Sequence, residues 1–391
     1  MKYPEKQRSM QEKKSYDIVF AITGDLHRNI RALKQLRSLS ESDFTVFVLH
    51  LGGNTPPSKL PKGVTEKTVQ LTDGSGPRYF WRLSNAFKKA MVDIPARVYH
   101  ASDLYTLRAC ATISAKHSAV YTFDSREYYA HVSATTGRPW VRWWWNMEQR
   151  QFLRGAAGIC TVSESIANAL SKDFSIPKPV IVENTPEATG TEDGLSIREM
   201  LTERGIEDNR DLIAHIGQMK KDRGCEQLVL SMKQVPDAHL VFLGYGPIQP
   251  ELERLTAEHS LSERIHFLPP VPPRAIQNAL VGVSIGITML LDTCLNHRYA
   301  LPNKLFDYIR AGVPVLGADL VEMRRVIKRY DIGQTADSND PNQISKALKS
   351  MLNSEDLSKW SANALTSTET FTWSNASQRF LGLINQAVPK Q

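Results

Sequence analysis

Residues 299–318 read YALPNKLFDYIRAGVPVLGA, and this stretch predicts a loop, a helix, a tight turn and a buried strand. Pro302 suits a helix start, because a first-turn proline loses no needed hydrogen bond. Apolar residues then recur on one face until Gly312, a residue type that commonly ends helices. The apolar run after Pro314 is typical of a parallel strand. The stretch therefore predicts one helix–strand unit of an α/β sheet.

The start of this helix also indicates a binding site. Helix starts carry free N–H groups and the positive end of the helix dipole, and together these favour a bound phosphate. Asp307 lies one turn further on, where its carboxylate can accept hydrogen bonds from a ribose. The alternative is an ordinary helix of a doubly wound sheet that binds no ligand.

The composition predicts a globular protein with two domains. The chain has 391 residues, of which 41% are hydrophobic and 23% are charged, and this length allows two cores. The segment before Tyr16 is polar and basic and lacks the apolar stretch of a signal peptide. The four cysteines lie far apart without metal-ligand spacing, so we expect reduced thiols in the cytoplasm and no metal site.

Charge is distributed unevenly between the two halves of the chain. Residues 1–185 carry 26 Lys and Arg against 16 Asp and Glu, whereas residues 186–391 carry 22 against 25. This imbalance indicates an anionic partner for the first half, such as an anionic membrane, a lipid-linked phosphate or nucleic acid. A solvated basic surface is the alternative. No nucleic-acid recognition module appears, so we expect no nucleic-acid partner.

In the first half, three predicted strands end in residues that suit a site. Open α/β sheets bind ligands at the carboxyl ends of their strands. The residues in question are Gly24 after the strand at 17–22, His100 and Asp103 at the end of the strand at 97–103, and Glu127 after the strand at 119–123. A structural turn at Gly24, a structural histidine, and a local ion pair of Glu127 are the alternatives.

Residues 138–152 (RPWVRWWWNMEQRQF) combine four tryptophans with arginines. On a helix, Trp140 and Trp144 share one face while Trp143 faces partly elsewhere, so the four cannot all be buried alike. Tryptophan beside arginine is typical of a membrane interface or of stacking on a ring. A large buried core helix is the other interpretation, and it is the one that we favour from the sequence.

The second half contains two glycine loops after predicted strands. Residues 217–224 (GQMKKDRG) place Lys220 and Arg223 between glycines and before a helix, which suits a diphosphate. Residues 244–247 (GYGP) follow the next strand, and Gly244 allows a ligand to approach the backbone. A solvated turn is the alternative for the first loop.

Taken in order, these motifs resemble the retaining glycosyltransferases of the GT-B fold, of the group 1 or family 4 type. Residues 302–315 resemble the family's donor signature, Pro-Asn/Ser-Lys-hydrophobic-Phe-Glu-Tyr-x-x-x-Gly-x-Pro-Val, with Asp307 at the glutamate position. Residues 217–224 resemble Gly-Arg-x-x-x-x-Lys-Gly, with Gln218 for the arginine and Arg223 for the lysine.

Two further positions depart from the family pattern. Ser102 replaces the second histidine of a His-x-His-Asp pattern, and Tyr299 stands where the Glu-x7-Glu motif has its first glutamate. Two alternatives to a transferase are open. A nucleotide-sugar epimerase or hydrolase can share the same fold. A non-catalytic nucleotide-sugar-binding protein is the other alternative, because Ser102, Gln218 and Tyr299 each depart from the pattern.

The resemblance implies an α/β protein with two Rossmann-like, doubly wound domains that face an interdomain cleft. It implies transfer of a sugar from a UDP- or GDP-linked donor to a glycan or lipid-linked acceptor, with retention and without a cofactor or metal, in bacterial glycan synthesis. The protein would act in the cytoplasm or peripherally at an anionic membrane. The implied parts are a basic tail at 1–16, an acceptor domain at 17–185, a donor domain at 186–371 and a helix at 372–391 that crosses back.

The resemblance also assigns roles to the candidate residues. His100, Asp103 and Glu127 would contact the transferred sugar or the acceptor. Arg223, the nearby lysines and the helix start would neutralise the departing diphosphate, while Asp307 would hold the ribose. The full donor-binding set is Gly24, Gln218, Lys220, Arg223, Gly244, Asn303, Lys304, Leu305 and Asp307.

Overall fold

The structure is a computed structural model that describes residues 15–187 and 192–388. Within these residues the chain forms two parallel β-sheets, one in each half. Most of the predicted basic tail at 1–16 lies outside the described residues, as do residues 188–191 just after the predicted domain boundary.

The N-terminal sheet has the order β3-β2-β1-β4-β5-β6-β7, and all its neighbouring strands are parallel. Consecutive residues of β1 point to opposite faces, so that Val19 and Ala21 enter one core while Phe20 and Ile22 enter another. Its strands are β1 (Tyr16–Ile22), β2 (Val46–His50), β3 (Val64–Thr68), β4 (Ala96–Ala101), β5 (Val120–Ser125), β6 (Gly158–Thr161) and β7 (Val180–Ile181).

Helices cover both faces of this sheet. The core on one face contains residues of α2 to α5, and the core on the other contains residues of α1. The helices of this half are α1 (Ile30–Glu41), α2 (Gly76–Met91), α3 (Leu104–Lys116), α4 (Pro139–Phe152) and α5 (Glu164–Phe174).

The C-terminal sheet has the order β10-β9-β8-β11-β12-β13 and is also parallel. Its strands are β8 (Asp211–Gln218), β9 (Ala238–Tyr245), β10 (Ile265–Leu268), β11 (Ile285–Thr288), β12 (Val315–Ala318) and β13 (Gly333–Ala336). The helices of this half are α6 (Ile197–Thr202), α7 (Cys225–Ser231), α8 (Gln249–Glu258), α9 (Ile276–Ala279), α10 (Leu295–Arg298), α11 (Asn303–Arg310), α12 (Val321–Tyr330), α13 (Pro341–Leu352), α14 (Leu357–Ser367) and α15 (Trp373–Ala387).

The last helix, α15, packs on the N-terminal sheet and not on the domain that precedes it in sequence. Phe380 and Ile384 are fully buried in the core that α1 covers. Trp373 donates from its indole nitrogen to Ser38 Oγ at 3.0 Å, and its backbone N–H donates to the carbonyl of Pro186 at 3.0 Å. The chain therefore passes from one domain to the other at two neighbouring points.

The predicted fold class, two Rossmann-like doubly wound domains, is confirmed by these two sheets. The stretch at 299–318 forms the elements that its sequence predicts. Pro302 is the N-cap of α11, Gly312 has a φ of 66° just after the helix, and β12 follows. Tyr308 fixes α11 on the sheet, because its hydroxyl oxygen accepts from Ile216 N–H at 3.2 Å and lies 2.9 Å from the carbonyl of Ala214.

Candidate functional site

A cavity of about 560 Å³ lies between the two domains, where the carboxyl ends of strands from both sheets face each other. The N-terminal domain contributes Arg126 and Glu127, which follow β5, together with Val162 and Ile166. The rest of the lining belongs to the C-terminal domain and includes the ends of β8 and β9, the start of α11, and residues of α9 and α10. Ligands of open α/β sheets bind at this edge.

The first turn of α11 forms one wall of the cavity. Asn303, Lys304 and Asp307 line it, whereas Leu305 is fully buried in the C-terminal core and lies away from it. No side chain caps the start of α11. Leu305 N–H donates to the carbonyl of Pro302 at 3.0 Å, whereas the N–H groups of Asn303 and Lys304 come before the first hydrogen bond of the helix. These two groups and the positive end of the dipole therefore suit an anion.

Lys304 contacts a histidine that the sequence analysis did not single out. Lys304 Nζ lies 2.9 Å from His215 Nε2, and His215 is buried at the base of the cavity wall in β8. The pKa of Lys304 is lowered to about 7, mainly by burial and in part by the positive charge of Arg223, while Cys225 and Asp307 oppose this shift. A histidine two residues before the glycine loop is the sequence signal that could have identified this contact.

Asp307 lies in the same wall, and its pKa is shifted in the opposite direction. Burial raises the pKa of its carboxyl group to about 6, and the positive charges of Lys34, Arg310 and Lys304 oppose that rise. Lys34 belongs to α1 of the N-terminal domain, and burial also lowers its pKa, to about 7. The cavity wall therefore holds two groups, Lys304 and Asp307, whose pKa values lie near neutral pH.

The two glycine loops come together at the ends of β8 and β9. Gly217, Gln218, Arg223, Gly244 and Tyr245 all line the cavity. A Cβ atom on Gly244 would lie 2.1 Å from the carbonyl oxygen of Gly217, so only glycine allows the loops to approach this closely. Lys220 is exposed and lies outside the cavity lining.

A hydrogen-bonded bridge links the two domains at Tyr245, which lines the cavity. Arg28 of the N-terminal domain donates to the Tyr245 hydroxyl at 3.0 Å, and Gln218 donates to the same oxygen at 3.2 Å. Gln218, which stands in place of the family's arginine, therefore donates to Tyr245, a residue of the same domain. Neither Arg28 nor Tyr245 was predicted from the sequence.

Glu127 is the carboxylate that the N-terminal domain presents to the cavity. Burial between the domains raises its pKa, and the positive charges of Arg126, Arg223 and His297 oppose this rise. The backbone N–H of the next residue, Tyr128, donates to Asn296 Oδ1 at 2.8 Å and ties this loop to the C-terminal domain.

Asp103 and Gly24 lie together behind Glu127. The Asp103 carboxylate accepts from Thr23 N–H at 2.7 Å and from Thr106 N–H at 3.1 Å, where it caps α3. It thereby holds the turn in which Gly24 has a φ of 97°. Asp103, Thr23 and Glu127 line a smaller cavity of about 330 Å³ beside the first one. The contacts of Asp103 are therefore structural, whereas the carboxylate of Glu127 lines the cavities and is accessible to a ligand.

The structure does not bring His100 to either cavity, which corrects the expectation that it contacts the sugar. Its ring is fully buried between Phe20 and Phe380, with ring centres 4.8 and 5.6 Å away, and Nδ1 lies 2.9 Å from Thr122 Oγ1. Burial lowers its pKa to about 4. Strand residues alternate between faces, and His100 points to the face that α15 covers.

Within residues 15–187 and 192–388, no three or more His, Cys, Asp or Glu side chains are grouped so that they could hold a metal ion. In the same part of the chain, every helix is too short or too polar to cross a bilayer.

The fold and the site define the GT-B class of two-domain α/β proteins. Residues 196–366 match the sequence profile described as "Glycosyl transferases group 1", and residues 29–184 match the profile described as "Glycosyltransferase Family 4". The two matches together cover most of the chain. The chain belongs to the group 1 glycosyltransferases of the family 4 type. A comparison with curated protein sequences gave no match.

Solved structures of the same fold cover nearly the whole chain. A glycosyltransferase from Rickettsia africae ESF-5 has a TM-score of 0.74 at 11% identity, over 96% of this chain and 100% of its own. Sucrose-phosphate synthase from Thermosynechococcus elongatus has a TM-score of 0.78 at 14% identity, over 95% and 98%. Anabaena HepE in complex with UDP-glucose has a TM-score of 0.72 at 11% identity, over 95% and 99%. At these identities the likeness shows the fold.

Proposed function

We propose that this chain transfers a sugar from a nucleoside-diphosphate sugar to an acceptor, with retention of the anomeric configuration. One observation carries the proposal. The cavity sets the uncapped start of α11, Arg223 and Lys304 on one side and the carboxylate of Glu127 on the other. The first side suits a departing diphosphate, and the second suits the sugar or the hydroxyl group that replaces the nucleotide.

At the donor end, the protein's own positive charges take the place of a metal. Arg223, Lys304 and the N–H groups of α11 would hold the diphosphate and stabilise the negative charge that develops as it departs. Asp307 would accept hydrogen bonds from the ribose, and the loop at Gly244 would lie against the nucleoside. UDP and GDP both fit this assignment. The UDP-glucose complex of Anabaena HepE supports a nucleotide sugar as the donor.

At the acceptor end, we assign a direct contact with the sugar or the acceptor to Glu127 alone among the predicted residues His100, Asp103 and Glu127. Asp103 would act through the turn at Thr23 and Gly24, and His100 has no role in this proposal because it is buried away from both cavities. Retention rests on the resemblance of the motifs to the retaining family. It is tested by the anomeric configuration of the product, which proton NMR coupling constants report, and an inverted product would contradict it.

A thermal-shift screen against nucleoside diphosphates and their sugar conjugates tests the donor site. A ligand present at 100 times its Kd stabilises the folded state by about 2.7 kcal/mol. We expect the melting temperature to rise with the diphosphates of one base and to stay unchanged with the corresponding nucleosides, which lack the phosphates. Absence of a shift with every diphosphate would contradict the donor site.

Two alternatives are separated by assays of turnover. An epimerase or hydrolase would change the donor without any acceptor, and a non-catalytic protein would bind the nucleotide without turnover. The non-catalytic alternative has one structural observation in its favour. Tyr299, at the place of a family glutamate, makes contacts between the domains: its carbonyl accepts from Ser163 Oγ at 2.7 Å, and its ring lies 6.0 Å from that of Tyr128.

Binding of a nucleoside diphosphate should take up a proton at slightly alkaline pH. The pKa of Lys304 is about 7, so above pH 7 its amine is largely neutral. The anionic ligand favours the protonated form, and affinity should therefore fall by up to about tenfold per pH unit above 7. Calorimetric titrations at pH 8, in two buffers of different ionisation enthalpy, measure the proton uptake.

The His215→Phe variant provides the comparison for this experiment. Phenylalanine removes the acceptor next to Lys304 Nζ, which leaves the buried ammonium without that hydrogen bond. The pH at which affinity begins to fall should therefore move down in the variant, while His215→Gln should keep it closer to that of the natural protein. An affinity that is independent of pH between 6.5 and 8.5 in the natural protein would contradict the assignment of Lys304.

A further inference from the structure

The N-terminal domain exposes large apolar side chains on two adjacent helices. Trp81 on α2 is 67% exposed, and on α4 Trp140 is 61%, Trp143 is 64% and Met147 is 46% exposed. The three α4 positions are spaced three and four residues apart and so share one side of the helix. Trp145 is the buried tryptophan of α4. The expectation of a buried core helix was thus wrong for Trp140 and Trp143.

The same two helices are rich in positive charge. Helix α2 carries Arg78, Arg82, Lys88 and Lys89 and no acidic residue. Helix α4 carries two arginines, and its one acidic residue, Glu148, is paired with Arg108 of α3. We define the Trp–Arg face as the exposed residues Arg78, Trp81, Arg82, Trp140, Trp143 and Met147.

A second cavity, of about 370 Å³, lies between α2, α3 and α4 beside this face. Its aromatic lining consists of Phe80, Trp81, Tyr105, Trp144 and Trp145. Tyr105 also lines the smaller cavity that contains Asp103 and Glu127. One side chain therefore belongs both to an aromatic cavity at the surface and to the acceptor end of the proposed active site.

We propose that the Trp–Arg face docks on an anionic lipid bilayer, and that the aromatic cavity beside it takes an apolar chain of a lipid-linked acceptor. The acceptor part rests on the proposed function, whereas the docking does not. Tryptophan and arginine together fit the boundary between lipid headgroups and acyl chains, where apolar rings and positive charge are both favoured. An excess of Lys and Arg with one paired acid favours anionic lipid in particular.

Vesicle flotation tests the docking with the full-length protein. We expect the natural protein to bind vesicles of phosphatidylcholine with 30 mol% phosphatidylglycerol at least tenfold more than vesicles of phosphatidylcholine alone. The variant with Trp140→Ser and Trp143→Ser should lose at least tenfold of this binding. These side chains are exposed, so the variant should fold. Equal binding to both vesicles, or undiminished binding of the variant, would overturn the proposal.

A matched control comes from the C-terminal domain, where Val281 and Leu365 are 63% and 54% exposed. The variant with Val281→Ser and Leu365→Ser should bind vesicles like the natural protein. Melting-temperature shifts with nucleoside diphosphates should be the same in both variants. That readout separates a failure of docking from a failure of the proposed function. The natural protein could instead self-associate and not bind vesicles. If the double tryptophan variant then failed to self-associate, the face would be assigned to a second copy of the chain, and the proposal would be overturned.

Tryptophan fluorescence tests whether acyl chains reach the helices. Five of the seven tryptophans lie on α2 and α4. Vesicles whose acyl chains carry bromine should quench the emission of the natural protein, because bromine quenches indoles that it contacts. Quenching that persists in part in the double tryptophan variant at saturating lipid would locate chains near Trp81 and Trp144. Binding without any quenching would contradict the insertion of chains into the cavity.

Discussion

Replacing Lys304 by alanine should weaken the binding of a nucleoside diphosphate by about 100-fold at pH 6.5. A hydrogen bond to a charged group contributes about 1.5–3 kcal/mol, and each 1.4 kcal/mol changes an affinity tenfold. Lys304 lies in the wall of the cavity at the start of α11, where its ammonium group would meet the phosphates beside the free N–H groups. Isothermal titration calorimetry measures the change.

Two other substitutions make this prediction specific. Arg223→Ala should weaken binding by a similar factor, because Arg223 lines the same cavity. Lys220→Ala is the matched control: it removes the same charge from the same loop, but Lys220 is exposed outside the cavity lining, and we expect a change of less than about twofold. Unchanged affinity in both Lys304→Ala and Arg223→Ala would mean that the cavity does not bind the donor.

Replacing Glu127 by glutamine should lower kcat by about 100- to 1,000-fold while leaving donor affinity within a few-fold, in keeping with the contribution of a positioned proton-transfer or charge-stabilising group. Glutamine keeps the shape and removes the negative charge. In the natural protein the raised pKa of Glu127 should make activity fall at acidic pH, as the carboxylate becomes protonated. Initial rates of sugar transfer, measured from pH 5 to pH 8, test both expectations.

Asp103→Asn provides the contrast to this substitution. The Asp103 carboxylate caps α3 and holds the turn at Thr23, so its loss should lower the melting temperature. Activity should fall only as far as the fraction of folded protein falls. Glu127→Gln should leave the melting temperature close to that of the natural protein. Full activity of Glu127→Gln would remove Glu127 from the proposed machinery.

The fold and the donor wall could be predicted because their signals are local. The bounds of α11 follow from Pro302, from one apolar face and from Gly312, all within twenty residues. The motifs follow one another along the chain in the order that is typical of the family, and this order predicted the two domains. Contacts between residues far apart in the sequence are harder to predict, and some have no local signal at all. Arg31 forms a buried ion pair with Asp124 at 2.8 Å, and nothing near either residue predicts the other.

Three predicted site residues have side chains that do not line the cavity, for one physical reason. The sequence places a residue on an element but does not settle which way its side chain points. His100 lies at the end of β4 and points under α15, Leu305 points from α11 into the core, and Lys220 points from its loop into solvent. The exposure of Trp140 and Trp143 could not be predicted from the sequence either, because an amphipathic helix with aromatic residues suits both a protein core and a membrane interface.

The return of α15 to the first domain sets a constraint on how the protein is made. A ribosome completes the N-terminal sheet long before it synthesises Phe380 and Ile384, yet these two residues, together with α1, cover one face of that sheet. The domain translated first is therefore the domain finished last. Until α15 is synthesised, the part of the sheet around β5, β6 and β7 lacks its cover on this face. A cut that removes Trp373–Ala387 would therefore expose apolar surface on the first domain and not on the second.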